Sequence, residues 1–173
     1  MATVIEKEKC PTCFKKTLTL REEEIDIPYF GKTFVFSMHC ESCSFKKEDV
    51  EAAEKKEPCK ITFVIESDKD MNIRVVKSSE ATVKIPQLKM EVTPGPVSEG
   101  YVSNIEGLLE RFEKVIQDER DSTEDEDVRK HAKSLLKKLW DVKTGDMKLK
   151  IIIEDPSGNS AIISERTEVK KGK

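Results

Sequence analysis

Two short cysteine motifs determine how the first part of this chain folds: Cys10-Pro11-Thr12-Cys13 and, after a spacer of residues 14–39, Cys40-Glu41-Ser42-Cys43. Each Cys-x2-Cys turn brings two thiolates close together. Two such turns facing each other supply the four sulfur ligands of a tetrahedral Zn²⁺ site. The fifth cysteine, Cys59, has no partner motif and is expected to be partly buried and inert. The sequence therefore predicts one structural zinc ion bound by Cys10, Cys13, Cys40 and Cys43.

Other uses of the four paired cysteines are less favoured. Disulfides are disfavoured because the number of cysteines is odd and nothing indicates export. A redox dithiol usually has one Cys-x-x-Cys motif in a βαβ setting. An iron–sulfur cluster also takes four cysteines, and the spacing leaves it open. A catalytic zinc keeps one position for water or substrate, whereas four sulfurs close the site.

Neither histidine adds a catalytic group to these cysteines. We interpret His39 as a strand residue that can donate a hydrogen bond to a thiolate, and His131 as a surface residue of a helix. The chain also lacks the glycine-rich phosphate loops, the nucleophile elbow and the His-Glu-x-x-His motif of common enzyme classes. The sequence therefore predicts no enzyme, no catalytic residues and no small-molecule substrate.

The composition is that of a highly charged protein with little aromatic content. Of 173 residues, 38% are charged and 6% aromatic, and the formal net charge is −3. No apolar run reaches the roughly 20 residues of a membrane helix, and the first residues lack the apolar segment of a secretory signal. We expect a cytoplasmic protein without membrane contact. The near balance of charge disfavours nucleic acid as a partner.

Changes in composition divide the chain into four parts. They are a zinc-ribbon finger at 1–45, a charged linker or short helix at 46–58, a β-rich domain at 59–164 with a helical hairpin at 103–142, and a flexible tail at 165–173. Residues 1–9 are expected to be a mobile lead into the finger. The predicted fold class is α+β and mostly β.

The spacer between the cysteine motifs has the pattern of a β-hairpin. Thr17–Leu20 and Thr33–Met38 alternate as strands do, and Gly31-Lys32 is the predicted turn. Tyr29 and Phe30 stand beside this turn. They either pack back on the hairpin or contact a partner, and both uses are open for different residues.

The β-rich domain changes period part-way through. Short strands are predicted at 60–66, 73–77, 81–85 and 88–92, and again at 148–154 and 161–164. Between them, apolar residues recur at helical spacing in two helices, with Ser103 and Thr123 as the predicted N-caps. The two helices thus interrupt a sheet that continues after them.

Several further motifs, taken together with the cysteine pairs, resemble the ZPR-type zinc-finger family. They occur in order along the chain as Asp70-Met71-Asn72, Arg74-Val75-Val76-Lys77, Ile85-Pro86-Gln87-Leu88, Ile105-Glu106-Gly107-Leu108-Leu109 and Asp155-Pro156-Ser157-Gly158-Asn159-Ser160. The resemblance implies a zinc ribbon followed by a double-stranded β-helix, or jelly-roll-like, domain with an inserted helical hairpin. Eukaryotic members are similar to two such modules in tandem, so this chain resembles a single-module, archaeal-like member.

The resemblance also implies a partner. It implies binding to translation elongation factor 1-alpha, with the GDP form favoured, and assistance in that factor's folding, biogenesis or regulation. Candidate contact residues are Arg74 and, in the late turn, Asp155, Ser157 and Asn159. The alternative is that the turn simply closes two strands and that Arg74 pairs with a nearby acid.

Two other function classes remain as competitors. A zinc-ribbon adaptor for RNA or the ribosome would need basic residues gathered on one face, for which Lys15, Lys16, Lys46 and Lys47 are candidates. A cupin-like oxygenase would need a His/carboxylate triad in the sheet domain, and both histidines fall outside its predicted strands.

Overall fold

The computed structural model describes residues 2–27, 31–52 and 56–172, and it places them in two β-rich units. The first unit is an antiparallel sheet in the order β1-β2-β3-β4. Its strands are β1 (Ala2–Lys9), β2 (Lys16–Ile27), β3 (Gly31–Cys40) and β4 (Lys46–Ala52). The two cysteine motifs lie in the turns between β1 and β2 and between β3 and β4, so one end of the sheet carries both.

Three expectations for this unit differ from the structure. Residues 2–9 form strand β1 instead of a mobile lead, and 46–52 form strand β4 instead of a linker or short helix. Gly31-Lys32 lies inside β3, paired with the end of β2, and is not the turn. Strand β1 is exposed along its whole length. Because β1 is held by backbone pairing and not by buried side chains, its sequence lacks the alternation of apolar and polar residues that predicts a strand.

The second unit is the predicted β domain with an inserted helical hairpin. Its elements are β5 (Cys59–Ile65), β6 (Arg74–Lys77), β7 (Thr82–Ile85), β8 (Met90–Val92), β9 (Tyr101–Asn104), α1 (Ile105–Ser122), α2 (Glu126–Lys143), β10 (Leu149–Asp155), β11 (Ala161–Ile162) and β12 (Glu168–Lys171). Five strands form one sheet in the order β12-β5-β10-β7-β8, and three form another in the order β11-β6-β9. The mostly β fold class with inserted helices is confirmed.

Strand β10 organises the core of this unit. It pairs with β5 over its full length, from Leu149 opposite Ile65 to Asp155 opposite Cys59, although the helices lie between the two strands in sequence. The inward side chains Leu149, Ile151 and Ile153 are fully buried. They pack in one apolar cluster with the buried faces of α1 and α2, so the hairpin closes the core of the sheet.

The helix ends and the tail also depart in detail from the sequence predictions. Asn104 caps α1 by accepting a hydrogen bond from the Gly107 amide, and Asp125 caps α2, so the N-caps are not Ser103 and Thr123. Part of the expected tail forms β12, which pairs with the outer edge of β5. Strand β9 has no counterpart among the predicted strands, because the predicted helical hairpin begins at residue 103, inside this strand.

Neither α1 nor α2, the two α-helices in the described part of the chain, is long and apolar enough to cross a membrane.

The two units contact each other through β4 and the segment before β9. The Lys47 ammonium lies 2.9 Å from the Glu99 carboxylate, and the Gly100 amide donates to the Asp49 carboxylate at 3.1 Å. Ile25 of β2 packs against the buried Val76 of β6. The ribbon is therefore held against the second unit by polar and apolar contacts.

Candidate metal centre and partner-contact residues

The four paired cysteines form one cluster. Their sulfur atoms all lie within 4.8 Å of one another, and the Cys10–Cys43 and Cys13–Cys40 sulfur pairs are both 3.7 Å apart. A tetrahedron with Zn–S bonds of about 2.3 Å has sulfur–sulfur edges of about 3.8 Å. The cluster thus fits one zinc ion bound by four thiolates, a closed structural site with no open coordination position.

Both cysteine turns have the same backbone geometry. The residue after the second cysteine has a positive φ in each turn, 60° at Phe14 and 57° at Ser44. The amides of these two residues donate to the carbonyl oxygens of Cys10 and Cys40 at 3.0 and 2.9 Å. The left-handed residue lets the chain reverse tightly, so each turn presents two sulfurs on one side.

Thr17, and not His39 as the sequence predicts, is the side chain that contacts a cysteine sulfur of the cluster. The Thr17 hydroxyl lies 3.3 Å from the Cys40 sulfur, and this hydrogen bond is the main cause that lowers the pKa of Cys40 to about 6. His39 is exposed on β3. Thr17 escapes sequence reasoning because its role depends on the pairing of β2 with β3, which places Leu18 opposite Cys40.

Cys43 differs from Cys40 in the direction of its pKa shift. A backbone hydrogen bond at Phe45 lowers the pKa of Cys43, but burial and the three neighbouring thiols raise it to about 12. Four thiolates packed this closely repel one another unless a cation lies among them. A bound Zn²⁺ removes this repulsion, and zinc binding therefore releases protons from the cluster.

The fifth cysteine lies outside the metal site. Cys59 begins β5, opposite Asp155, and it is partly buried. Burial, with a smaller effect of the Asp155 charge, raises the pKa of its thiol. The structure thus confirms a partly buried, strand-end cysteine, and the raised pKa favours low reactivity.

The turn after β10 is organised by one buried carboxylate. Asp155 is 2% exposed, and four groups donate to it. They are the amides of Ser157 (2.8 Å) and Asn159 (3.0 Å) and the hydroxyls of Ser157 (2.7 Å) and Ser160 (2.6 Å). Burial raises the pKa of Asp155, but these hydrogen bonds outweigh it and the net shift is downward.

This turn also holds the chain that enters from the ribbon. The Lys56 amide donates to the Ser157 carbonyl at 2.9 Å, and Gly158, at φ 69°, lies directly against the Glu57 carbonyl oxygen. Ser157 and Asn159 are each 6% exposed. The side chains of Asp155 and Ser157 therefore have an internal role, whereas Asn159 contributes its backbone amide, and direct contact of these residues with a partner stays a prediction.

The other predicted contact residues have different positions. Arg74 is exposed at the start of β6 and lines a cleft between the two units. It forms no ion pair with the residues that the structure describes, so the predicted pairing with a nearby acid is not seen among them. Tyr29 and Phe30 lie outside the described residues.

Comparison with known protein families agrees with this arrangement. Residues 4–58 match the ZPR1 zinc-finger domain, and residues 69–172 match the ZPR1 jelly-roll domain. The chain belongs to the ZPR1 family. Its ribbon and its sheet domain with the helical hairpin are one copy each of the two ZPR1 domains, and its four-cysteine cluster is the ZPR1 site for one structural zinc ion.

ZPR1-like relatives occur in archaea and eukaryotes. An uncharacterized ZPR1-like protein of Methanocaldococcus jannaschii is 41% identical over 95% of this chain and 83% of its own length. A second, from Pyrococcus horikoshii, is 40% identical over 94% of this chain and 74% of its own length. The zinc finger chaperone zpr1 of Schizosaccharomyces pombe is 34% identical over 79% of this chain but only 30% of its own length. The ZPR1 family thus contains zinc-finger and chaperone proteins, and none of these names denotes an enzyme class.

Gly158 is a sensitive position in the ZPR1 jelly-roll domain. A Cβ added there would collide with the Glu57 carbonyl oxygen and lie 2.8 Å from the Lys56 Cβ, at a φ that L-residues rarely adopt. We expect Gly158→Ala to lower the free energy of unfolding by about 3 kcal/mol, measured by denaturant titration. Gly95→Ala is the matched control, because no atom lies within 4 Å of its added Cβ. Equal stability of the two variants would contradict this prediction.

Proposed function

We propose that this protein binds translation elongation factor 1-alpha, favours its GDP form, and assists its folding, biogenesis or regulation. It acts in the cytoplasm as a binding protein without catalytic activity. In this role the zinc stabilises the ribbon, and the ribbon and jelly-roll domain together present the binding surface.

Membership of the ZPR1 family is the observation that carries this proposal. One relative is named a zinc finger chaperone, and the match to it covers 79% of this chain. The closed four-sulfur site also supports a structural metal, because no ligand position is left for a substrate. A chaperone or regulator acts by binding a partner and needs no catalytic group. A closed metal site that only stabilises the ribbon agrees with such a role.

The contact residues form part of the same proposal. Arg74 is exposed and offers a charged group to the partner directly. Tyr29 and Phe30, which lie outside the described residues, are proposed as further contacts. The turn residues after β10 are buried, namely Asp155, Ser157 and Asn159. In this proposal they hold the two units in the orientation that the partner binds.

A binding assay with two purified proteins tests the proposal. The zinc-loaded chain is titrated into archaeal elongation factor 1-alpha with GDP, and separately with a non-hydrolysable GTP analogue, by isothermal calorimetry. We expect a micromolar or tighter complex with GDP, weaker binding with the analogue, and about tenfold weaker binding by Arg74→Gln. The absence of a complex in both nucleotide states would refute the proposal.

The adaptor for RNA or the ribosome has less structural support. Of its candidate lysines, Lys46 is paired with Glu48 at 2.6 Å and Lys47 with Glu99 at 2.9 Å. Two of the four charges are thus already neutralised within the protein. Binding of RNA that weakens steeply with added salt would favour this alternative.

A further inference from the structure

A cleft of about 1070 Å³ lies between the ribbon and the jelly-roll domain. Ile25, Val35 and the segment 45–48 line it on the ribbon side, and β9, the segment before β9, and α1 line it on the other. The contacts of Lys47 with Glu99 and of Gly100 with Asp49 connect the two walls. The cleft is therefore formed by both units together.

The cleft carries a surplus of positive charge. Five basic and two acidic side chains line it, and both acids, Glu48 and Glu99, are already paired with lysines. The three other basic side chains are Arg74, Lys77 and Arg111. Within the part of the chain that the structure describes, none of the three forms an ion pair. This surplus is local, because the whole chain has a net charge of −3.

Lys77 is the most unusual of these groups. It is 5% exposed, and its ammonium donates to the Ser78 carbonyl oxygen at 2.9 Å. The Lys77 ammonium lies 5.7 Å from the centre of the Tyr101 ring, and the Arg111 guanidinium lies 3.9 Å from the same ring centre. Burial lowers the pKa of Lys77, the Asp155 charge raises it in part, and Arg111 lowers it again. A buried cation beside another cation is costly, and a bound anion would stabilise both.

The walls around these cations are apolar. Four exposed valines, Val92, Val97, Val102 and Val115, line the cleft, and Val97 is 80% exposed. Among the described strands, β9 pairs only with β6 and is therefore an edge strand, with β4 close to it. An edge strand of this kind can pair with an extended peptide, while neighbouring pockets take alternate side chains.

We propose that this cleft binds an extended, acidic segment of a partner protein. A carboxylate of the segment contacts Lys77 and Arg111, and its aliphatic side chains pack on the valines. A phosphate would use the cations but leave the apolar walls uncovered. A long polyanion such as RNA is disfavoured by the net negative charge of the protein. The site does not depend on the partner being the elongation factor.

Fluorescence anisotropy with a synthetic probe tests this site. The probe is a labelled heptapeptide that alternates glutamate and valine, titrated with the zinc-loaded full chain. We expect saturable binding that weakens with salt, and about tenfold weaker binding by Lys77→Met and by Arg111→Gln. A peptide with glutamine in place of glutamate should not bind measurably. Lys137→Gln, an exposed change on α2 outside the cleft, should leave the affinity unchanged.

Folding is checked separately for every variant, by zinc content and thermal unfolding. Lys77→Met should keep or raise the melting temperature, because it replaces a buried, unpaired charge with an apolar side chain. The proposal is overturned by any of four results: no saturable binding, an equal loss in Lys137→Gln, displacement of the probe by inorganic phosphate at the same concentration, or self-association of the chain. Residues 118–127 include seven acidic side chains, so in a self-associated chain this segment of a second copy would be the occupant of the cleft. Because the probe is synthetic, a failure of the peptide to bind does not refute the elongation-factor proposal. Likewise, a failure of the elongation factor to bind does not refute the peptide site.

Discussion

Removal of zinc should unfold the ribbon and leave the jelly-roll domain folded. In the described part of the ribbon, the buried apolar cluster consists of Leu18 with Cys10 and Cys40, joined by partly buried neighbours. So small a core cannot offset the entropy of ordering four strands. The apparent binding energy of a structural zinc ion, about 10–16 kcal/mol, supplies the difference. The jelly-roll core is a separate cluster that contains none of the zinc ligands.

Hydrogen exchange with and without a strong chelator measures this effect. Amides of β2 and β3 should lose their protection when zinc is removed, whereas amides of β5 and β10 should keep it. Cys40→Ser should behave like the chelated protein. Cys59→Ser is the matched control and should keep its zinc and its protection, because Cys59 lies outside the cluster. A ribbon that stays protected in chelator would show that strand pairing alone is sufficient.

The second large effect is expected for Asp155→Ala. The change removes one buried acceptor and leaves its four donors, on Ser157, Asn159 and Ser160, without a partner in the interior. We expect the free energy of unfolding to fall by about 4 kcal/mol, measured by denaturant titration. Asp118→Ala, an exposed change on α1, is the control and should have little effect.

The effect of Asp155→Ala should depend on pH in a defined direction. Because the pKa of Asp155 is lowered in the folded protein, its carboxylate contributes stability that is present above the unfolded pKa of about 4. That contribution is lost as the pH falls through the lower, folded value. The stability difference between wild type and Asp155→Ala should therefore stay constant from about pH 7 to about pH 5 and shrink below about pH 4. A difference that grows in acid would contradict the assignment of Asp155 as a buried carboxylate.

Both predictions concern how the two units are joined. The turn around Asp155 receives the chain at Lys56 and Glu57, so it holds the connection between the ribbon and the sheet domain. Ser78, next to Lys77 of the cleft, donates its amide to the Ser160 hydroxyl at 3.0 Å, which links the cleft to this turn. Zinc stabilises the ribbon and the turn stabilises the jelly-roll domain. Together they therefore set the shape of the surface that the two units form.

The metal site and the order of the main elements follow from the amino-acid sequence alone. Four cysteines in two pairs identify the zinc ligands, because ligand type and local spacing are properties of short segments. The helical hairpin also follows from the sequence, since the apolar stripes of α1 and α2 repeat at helical spacing over many residues. Strands β1, β4 and β12 do not follow from the sequence, because their segments lack a clear alternation of apolar and polar residues. The sequence instead predicts a mobile lead, a linker or short helix, and a flexible tail at these places.

Contacts between side chains that are distant in sequence depend on the three-dimensional fold. Thr17 reaches the Cys40 sulfur through strand pairing, and Lys77 and Arg111 both contact the ring of Tyr101. Sequence patterns predicted Asp155 in a turn but not its burial, because burial depends on the pairing of β10 with β5. The physical reason is the same in each case. Local periodicity reports which face of an element is apolar, whereas the environment of a polar side chain is set by elements that are distant in the chain.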